Sequence, residues 1–193
     1  MRIVGGSLKG RALRAPHRST QEGRDLRPTA DRVRESLFNV LLHGPEPVEL
    51  EGATVIDVFS GTGALGLEAM SRGAQHGVFI DNDAKALALV RKNAGNLGLG
   101  RSVTLLKLDA ARLPPPPRTA KTPARLAFLD PPYGSGLALP ALQGLKARNW
   151  IGEGAVSVAE VAAKEELETP KGFEAVDERT YGRARLVFLK AGP

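Results

Sequence analysis

From residue 53 onward, short unbroken apolar runs alternate with stretches of helical period, and this alternation leaves the fold little freedom. Residues 54–59 (Thr-Val-Ile-Asp-Val-Phe), 77–80 (Gly-Val-Phe-Ile), 103–108, 126–129 (Leu-Ala-Phe-Leu) and 155–159 read as strands. Between them, residues 64–72, 83–97 and 139–148 read as helices, and Asp83 is placed to cap the second. A strand that is apolar throughout must be covered on both faces, and alternation with helices makes such strands parallel. Two last runs, 173–177 and 184–190, have no helix-length gap between them, so they close the chain as a hairpin with an antiparallel strand. The expectation is an α/β, doubly wound, Rossmann-like sheet. The run Pro114-Pro-Pro-Pro117 reads as a stiff spacer between the third and fourth strands. Glu165, Glu166 and Glu168 read as an exposed helical face.

Residues 1–50 form an extension ahead of the main domain, residues 51–193. Arg2-Ile-Val and Arg11-Ala-Leu-Arg14, separated by glycines, read as a small basic hairpin. Residues 15–28 have no period and read as a loop. Val33, Leu37, Val40 and Leu41 then mark one face of a helix, capped by Thr29 and stopped by Gly44-Pro45. The chain of 193 residues carries a net charge of +6, and its distribution is uneven. Residues 1–34 hold nine basic side chains against three acidic ones, while the rest balances at eighteen of each. A concentrated basic segment is the electrostatic footprint of a nucleic-acid partner. There is no cysteine, which excludes disulfides, cysteine–zinc sites, iron–sulfur ligation and cysteine nucleophiles. The three histidines (His17, His43, His76) are scattered, so no metal is expected. No apolar run approaches the ~18 residues of a membrane span, and the first residues lack the apolar centre of a signal peptide. A soluble, cytoplasmic protein is expected.

Two motifs carry chemistry. The first, Asp57-Val-Phe59-Ser60-Gly61-Thr62-Gly63-Ala-Leu-Gly66, lies at a strand end and opens a helix. Its glycines let backbone approach a ligand, and the helix start offers free N–H groups. The spacing also fits a dinucleotide, with Asp81 set to hold ribose hydroxyls. Asp57 argues otherwise: a carboxylate there repels a pyrophosphate and attracts a cation such as the ammonium of S-adenosylmethionine. The second motif, Asp130-Pro131-Pro132-Tyr133, follows the strand at 126–129, and in a doubly wound sheet it emerges beside the first. The prolines remove N–H donors, leaving acceptors to meet an amine, and Tyr133 offers a face for a base to stack on. Acceptors on both N–H groups of a base amine free its lone pair to attack a methyl.

Together these motifs resemble the class I S-adenosylmethionine-dependent amino-methyltransferases. Met1-Arg-Ile-Val-Gly-Gly-Ser-Leu-Lys-Gly-Arg11 and Arg27-Pro-Thr-Ala-Asp-Arg-Val-Arg-Glu-Ser-Leu-Phe-Asn39 narrow the resemblance to the RsmD family, which methylates guanine N2 in small-subunit (16S) ribosomal RNA. The resemblance implies a seven-stranded methyltransferase sheet with the hairpin strand inserted antiparallel. It implies methylation at guanine 966, on free RNA or an assembled small subunit, by a monomer. It assigns catalysis to Asp130, Pro131, Pro132 and Tyr133. Cofactor binding falls to residues 59–63 with Asp57, Asp81, Asn82 and Asp109. RNA binding falls to Arg2, Lys9, Arg11 and Arg14 of the hairpin and to Arg27, Arg32 and Arg34 of the first helix. Adenine N6 in DNA or RNA is the alternative target. A nicotinamide oxidoreductase and a non-catalytic RNA-binding module are the competing classes, and the latter leaves Asp130 unexplained.

Overall fold

A computed structural model of the chain describes residues 1–15 and 27–193, the side chains of residues 27–30 excepted. The elements are α1 (Arg27–His43), β1 (Thr54–Val58), α2 (Ala64–Ser71), β2 (His76–Asp81), α3 (Ala84–Asn96), β3 (Val103–Lys107), β4 (Ala124–Leu129), α4 (Ala138–Ala147), β5 (Ile151–Ala162), β6 (Phe173–Tyr181) and β7 (Ala184–Ala191). All seven strands join one sheet in the order β3-β2-β1-β4-β5-β7-β6. The strands from β3 to β5 pair in parallel, and β7 runs antiparallel to both its neighbours. The seven-stranded sheet with an inserted hairpin strand is therefore present.

Alternate residues of each buried strand serve opposite faces. Val55, Phe79, Leu126 and Phe128 share one core with Leu37, Phe38 and Leu41 of α1. Ile56, Val58, Val78 and Ile80 share the other with α4 and with Trp150, which is fully buried. Phe38 packs its ring 5.7 Å from that of Phe128, and the Arg72 guanidinium lies 4.7 Å from the Phe38 centroid. Ile3 and Leu13 enter the first core as well, so the N-terminal segment is packed onto the sheet.

The small basic hairpin is present as a short pairing: the antiparallel bridge of Arg2 and Ala12, with the Ile3 N–H donating to the Arg11 carbonyl at 2.9 Å and the Leu13 N–H to the Met1 carbonyl at 3.0 Å. Several other sequence expectations are corrected. Helix α1 begins at Arg27, so Thr29 lies within it. Pro28 belongs to the first turn, where a missing N–H leaves nothing unpaired. The rest of the loop expected over 15–28 lies outside the described residues. Residues 163–172 form no helix, and Glu165 turns inward to accept from the backbone N–H groups of Gly134 (3.0 Å) and Ala162 (3.3 Å). The proline run is more than a spacer: between two 3-10 turns, the Pro114 carbonyl accepts from Trp150 Nε1 at 2.7 Å.

One buried carboxylate fastens the N-terminal segment to α2. Glu68, fully buried, accepts from the N–H groups of Val4 and Gly5, each at 2.8 Å, and from Arg72 Nε at 2.8 Å. Arg34 Nε stands 3.5 Å from the same carboxylate.

Candidate active site

Strand register assembles the site. Val58 pairs with Ile80 on one side and Leu129 on the other, and Leu129 pairs with Ala159. The next residue on each strand is Phe59, Asp81, Asp130 or Glu160, so these four stand in a row along the carboxyl edge of the sheet, where doubly wound folds bind ligands.

The chain leaves β1 through a loop with three left-handed residues, Phe59 (φ 62), Gly61 (φ 50) and Gly63 (φ 76). Such a φ at Phe59 costs roughly 1–2 kcal/mol, and the surrounding bonds hold it. Ser60 donates its N–H to the Ile80 carbonyl at 3.1 Å. Gly61 donates to Asp81 Oδ2 at 3.0 Å, and the Thr62 carbonyl accepts from Asn93 Nδ2 at 2.9 Å. The buried Asn93 amide also bonds the backbone N–H and carbonyl of Arg14. The glycines divide their roles. A Cβ on Gly61 would stand in open space, with the Phe59 carbonyl oxygen 3.9 Å away as its nearest neighbour. At Gly63 it would press on Val90 at 3.1 Å, and at Gly66 on Phe79 at 2.5 Å. The space at Gly61 is therefore open to a close-lying ligand, whereas Gly63 and Gly66 permit packing.

Asp57 is buried, and its Oδ2 accepts from the Gly66 N–H at 2.9 Å. Burial raises its pKa to about 8, against the lowering by that hydrogen bond, and Asp130 and Asp81 push it up further. Burial thus keeps the group protonated near neutral pH, and an ammonium beside it would favour the ionised form. Ser60, 6% exposed, has a hydroxyl with no partner among the described residues. A cavity of about 1080 Å³ lies over this loop, lined by Asp57, Ser60, Asp130 and Glu160 and also by Arg32 of α1 and Arg183 of the β6–β7 turn. A smaller one, about 420 Å³, lies beside Asp81, Asn82, Pro131 and Pro132. Phe59, Asp130 and Tyr133 line both and so mark their junction. Carboxyl groups beside the glycine loop suit a ligand with ammonium and sulfonium charges, which would draw them into their ionised form.

Asp130 opens to solvent on its cavity side, while protein atoms crowd its remaining directions. That crowding raises its pKa to about 7, and the Glu160 carboxylate adds to the effect. Tyr133 is 52% exposed and donates its hydroxyl to Glu160 Oε1 at 2.7 Å. Partial burial, followed by that hydrogen bond, holds the phenol protonated well above its ordinary range.

The remaining sequence candidates separate. Asp81 reaches the smaller cavity but accepts from both Gly61 and Asp83 backbone N–H groups. Asp109 is exposed, lies on neither cavity, and caps a 3-10 turn by accepting from the Ala111 N–H at 3.0 Å. Lys9, Arg11, Arg14 and Arg32 are exposed. Arg2 is exposed with its Nε 3.3 Å from Asp31. The Arg27 side chain lies outside the described residues. Arg34, expected to face RNA, is instead 5% exposed and bound to Asp31 Oδ1 (2.8 Å) and the Arg2 carbonyl (2.6 Å). The helical face puts it inward because Glu68 is there to receive it. The sequence leaves Glu160 open between a carboxylate facing the crevice and a solvated one, and the structure places it on the larger cavity. Its position one residue past the apolar run of β5 was the available signal.

The family model described as Conserved hypothetical protein 95 matches residues 1–190. The Bacillus subtilis protein YlbH is 35% identical over 191 residues, covering 98% of both chains. Ribosomal RNA small subunit methyltransferase D of Escherichia coli K12 is 33% identical over 184 residues, or 95% of this chain and 86% of that protein. The solved structure of the Escherichia coli protein yhhF superposes with a TM-score of 0.81 at 29% identity, covering 100% of this chain and 98% of the other. A seven-stranded sheet of this order, a glycine loop facing Asp-Pro-Pro-Tyr and a match along almost the whole length lead to one conclusion: the chain belongs to the Conserved hypothetical protein 95 family, the RsmD family.

Proposed function

We propose that this protein transfers a methyl group from S-adenosylmethionine to the exocyclic N2 of a guanine in small-subunit ribosomal RNA, at position 966 by its family resemblance. It acts as a cytoplasmic monomer on free RNA or an assembled subunit. The observation that carries the reading is Asp130, an acceptor at the junction of two cavities, one beside Asp81 and one running from Asp57 to α1. Asp57, Gly61 and Asp81 would hold the cofactor, with Phe59, Ser60, Thr62, Gly63 and Asn82 completing its surroundings. Bound there, S-adenosylmethionine supplies an electrophilic methyl. The chain positions the amine. Asp130 accepts from one of its N–H groups and the Pro131 carbonyl from the other, which leaves the lone pair free. Tyr133 stacks on the base after it has turned out of its helix. Once the amine carries a methyl and a positive charge, Asp130 is the acceptor for the proton it releases. Exposed arginines of residues 1–15 and Arg32 grip phosphate.

The test is a single-turnover assay with labelled cofactor on unmethylated small-subunit RNA, followed by nucleoside analysis. Asp130→Ala should lower transfer on the order of a hundredfold or more, with cofactor and RNA affinity unchanged. Asp130→Asn should retain part of the rate. The wild-type rate should climb as pH rises through about 7, where the carboxyl gives up its proton. Near wild-type transfer by Asp130→Ala would remove the acceptor mechanism.

A further inference from the structure

Glu160 takes no part in the scheme above, yet it lines the same cavity as Asp130. The β4–β5 register sets the two side by side, each one residue beyond the Leu129–Ala159 pair. Its Oε1 is occupied by the Tyr133 hydroxyl at 2.7 Å, while Oε2 takes no hydrogen bond from the described residues. Asp57 and Ser60 line the same cavity, so polar groups stand beside Asp130 and Glu160 in a lining that is otherwise largely apolar. Two neighbouring acceptors match two neighbouring donors. Among the nucleobases that carry an exocyclic amine, only guanine places a ring N–H beside it; adenine N1 and cytosine N3 are bare acceptors.

Building on the proposed guanine reading, we propose that Glu160 selects the base, its Oε2 accepting from the ring N1–H while Asp130 accepts from the neighbouring amine. A base with an acceptor at that ring position meets a carboxylate lone pair to lone pair and loses the hydrogen bond as well. Tyr133 holds the carboxylate in register by donating to its other oxygen. A well-placed pair of hydrogen bonds to a base edge discriminates by about 10- to 100-fold.

2-Aminopurine tests this contact, because it keeps the amine at the same carbon but has a bare N1, and comparing the wild type with Glu160 variants cancels the effect of its missing O6. Wild-type protein should methylate an RNA with guanine at the target position at least about tenfold faster than one with 2-aminopurine there. In Glu160→Gln, Tyr133 still engages the amide oxygen, which presents the amide N–H to the base. The guanine to 2-aminopurine ratio should fall to about one or below. Titration by 2-aminopurine fluorescence, without methyl donor, should show tighter binding of that RNA. The double variant Glu160→Gln, Tyr133→Phe frees the amide to turn over and should regain part of the guanine preference. Glu160→Ala should lose preference without gaining 2-aminopurine affinity. If the wild type labels guanine N2 and the ratio in a folded Glu160→Gln protein does not move, the role of Glu160 is wrong and the function stands. If the wild type labels adenine N6 instead, the guanine reading fails and Glu160 selection falls with it.

Discussion

Asp57 joins two demands that pull in opposite directions. With its pKa raised to about 8 by burial, it holds a proton in the folded state across a window, from about 4 to about 8, where the unfolded chain has lost it. Its contribution to stability is full below the ordinary value of 3.8 and disappears as pH rises through about 8. Asp57→Asn keeps an acceptor for the Gly66 N–H and removes the ionisation. Calorimetry at pH 8.5 should find the variant more stable than wild type by about 1 kcal/mol or more, roughly 2–4 °C at the midpoint for a chain this size. Its S-adenosylmethionine affinity should fall at least about tenfold, since the ammonium loses its countercharge. A variant less stable at that pH would show that a cation already neutralises Asp57. The sequence pointed to Asp57 and Asp130 because both sit at the ends of apolar strands within recognisable motifs. It left Glu160 undecided because a glutamate after an apolar run looks the same whether it meets solvent or a cavity; only the β4–β5 register distinguishes them.

At the scale of elements, the glycine loop splits into parts that variants can tell apart. Gly61→Ala adds a methyl in open space at a φ of 50, so it should lower stability by about 1 kcal/mol while weakening cofactor binding strongly. Gly66→Ala pushes a carbon to 2.5 Å from the Phe79 ring and should unfold the β1–α2 unit. Thermal melts and isothermal titration of both variants decide it, and cofactor affinity left intact in Gly61→Ala would move the ligand off this loop. Element limits were legible wherever apolar residues run unbroken, and less so elsewhere. β5 begins at Ile151 rather than at 155 because Gly152, Glu153 and Gly154 interrupt the pattern, and the ladder to β4 shifts register there. β6 extends to Tyr181 along an exposed sheet edge, where polar side chains hide the strand. Phe38 was missed on α1 because the face was drawn through Val40, which is only half-buried, whereas Phe38 packs against Phe128.

Across the whole molecule, the surplus of charge in residues 1–34 divides into working and structural parts that composition cannot separate. Replacing Arg11, Arg14 and Arg32 with Gln should each flatten the salt dependence of RNA binding by about 0.7–0.9 in log K against log salt, measured by fluorescence anisotropy. Arg34→Gln should leave that slope alone and destabilise the fold by about 3 kcal/mol or more, because it strips a partner from a buried ionic cluster. An equal slope change at Arg34 would mean that the cluster opens on RNA. The alternation of strands and helices was enough to read the sheet, since it fixes parallel pairing. The merging of the N-terminal segment into the main core was not, because Glu68, which ties it down, looks from the sequence like any charged residue of a helix. The inserted hairpin also has a consequence for the order of events during synthesis. Among the described residues β6 pairs with β7 alone, and β7 supplies the bridge to β5. A growing chain that has reached Tyr181 therefore has every motif residue already made but still lacks part of the cavity lining. The ribosome must deliver Arg183, Ala184 and Leu186 before that lining is whole, so the larger cavity is among the last parts of the molecule to be completed.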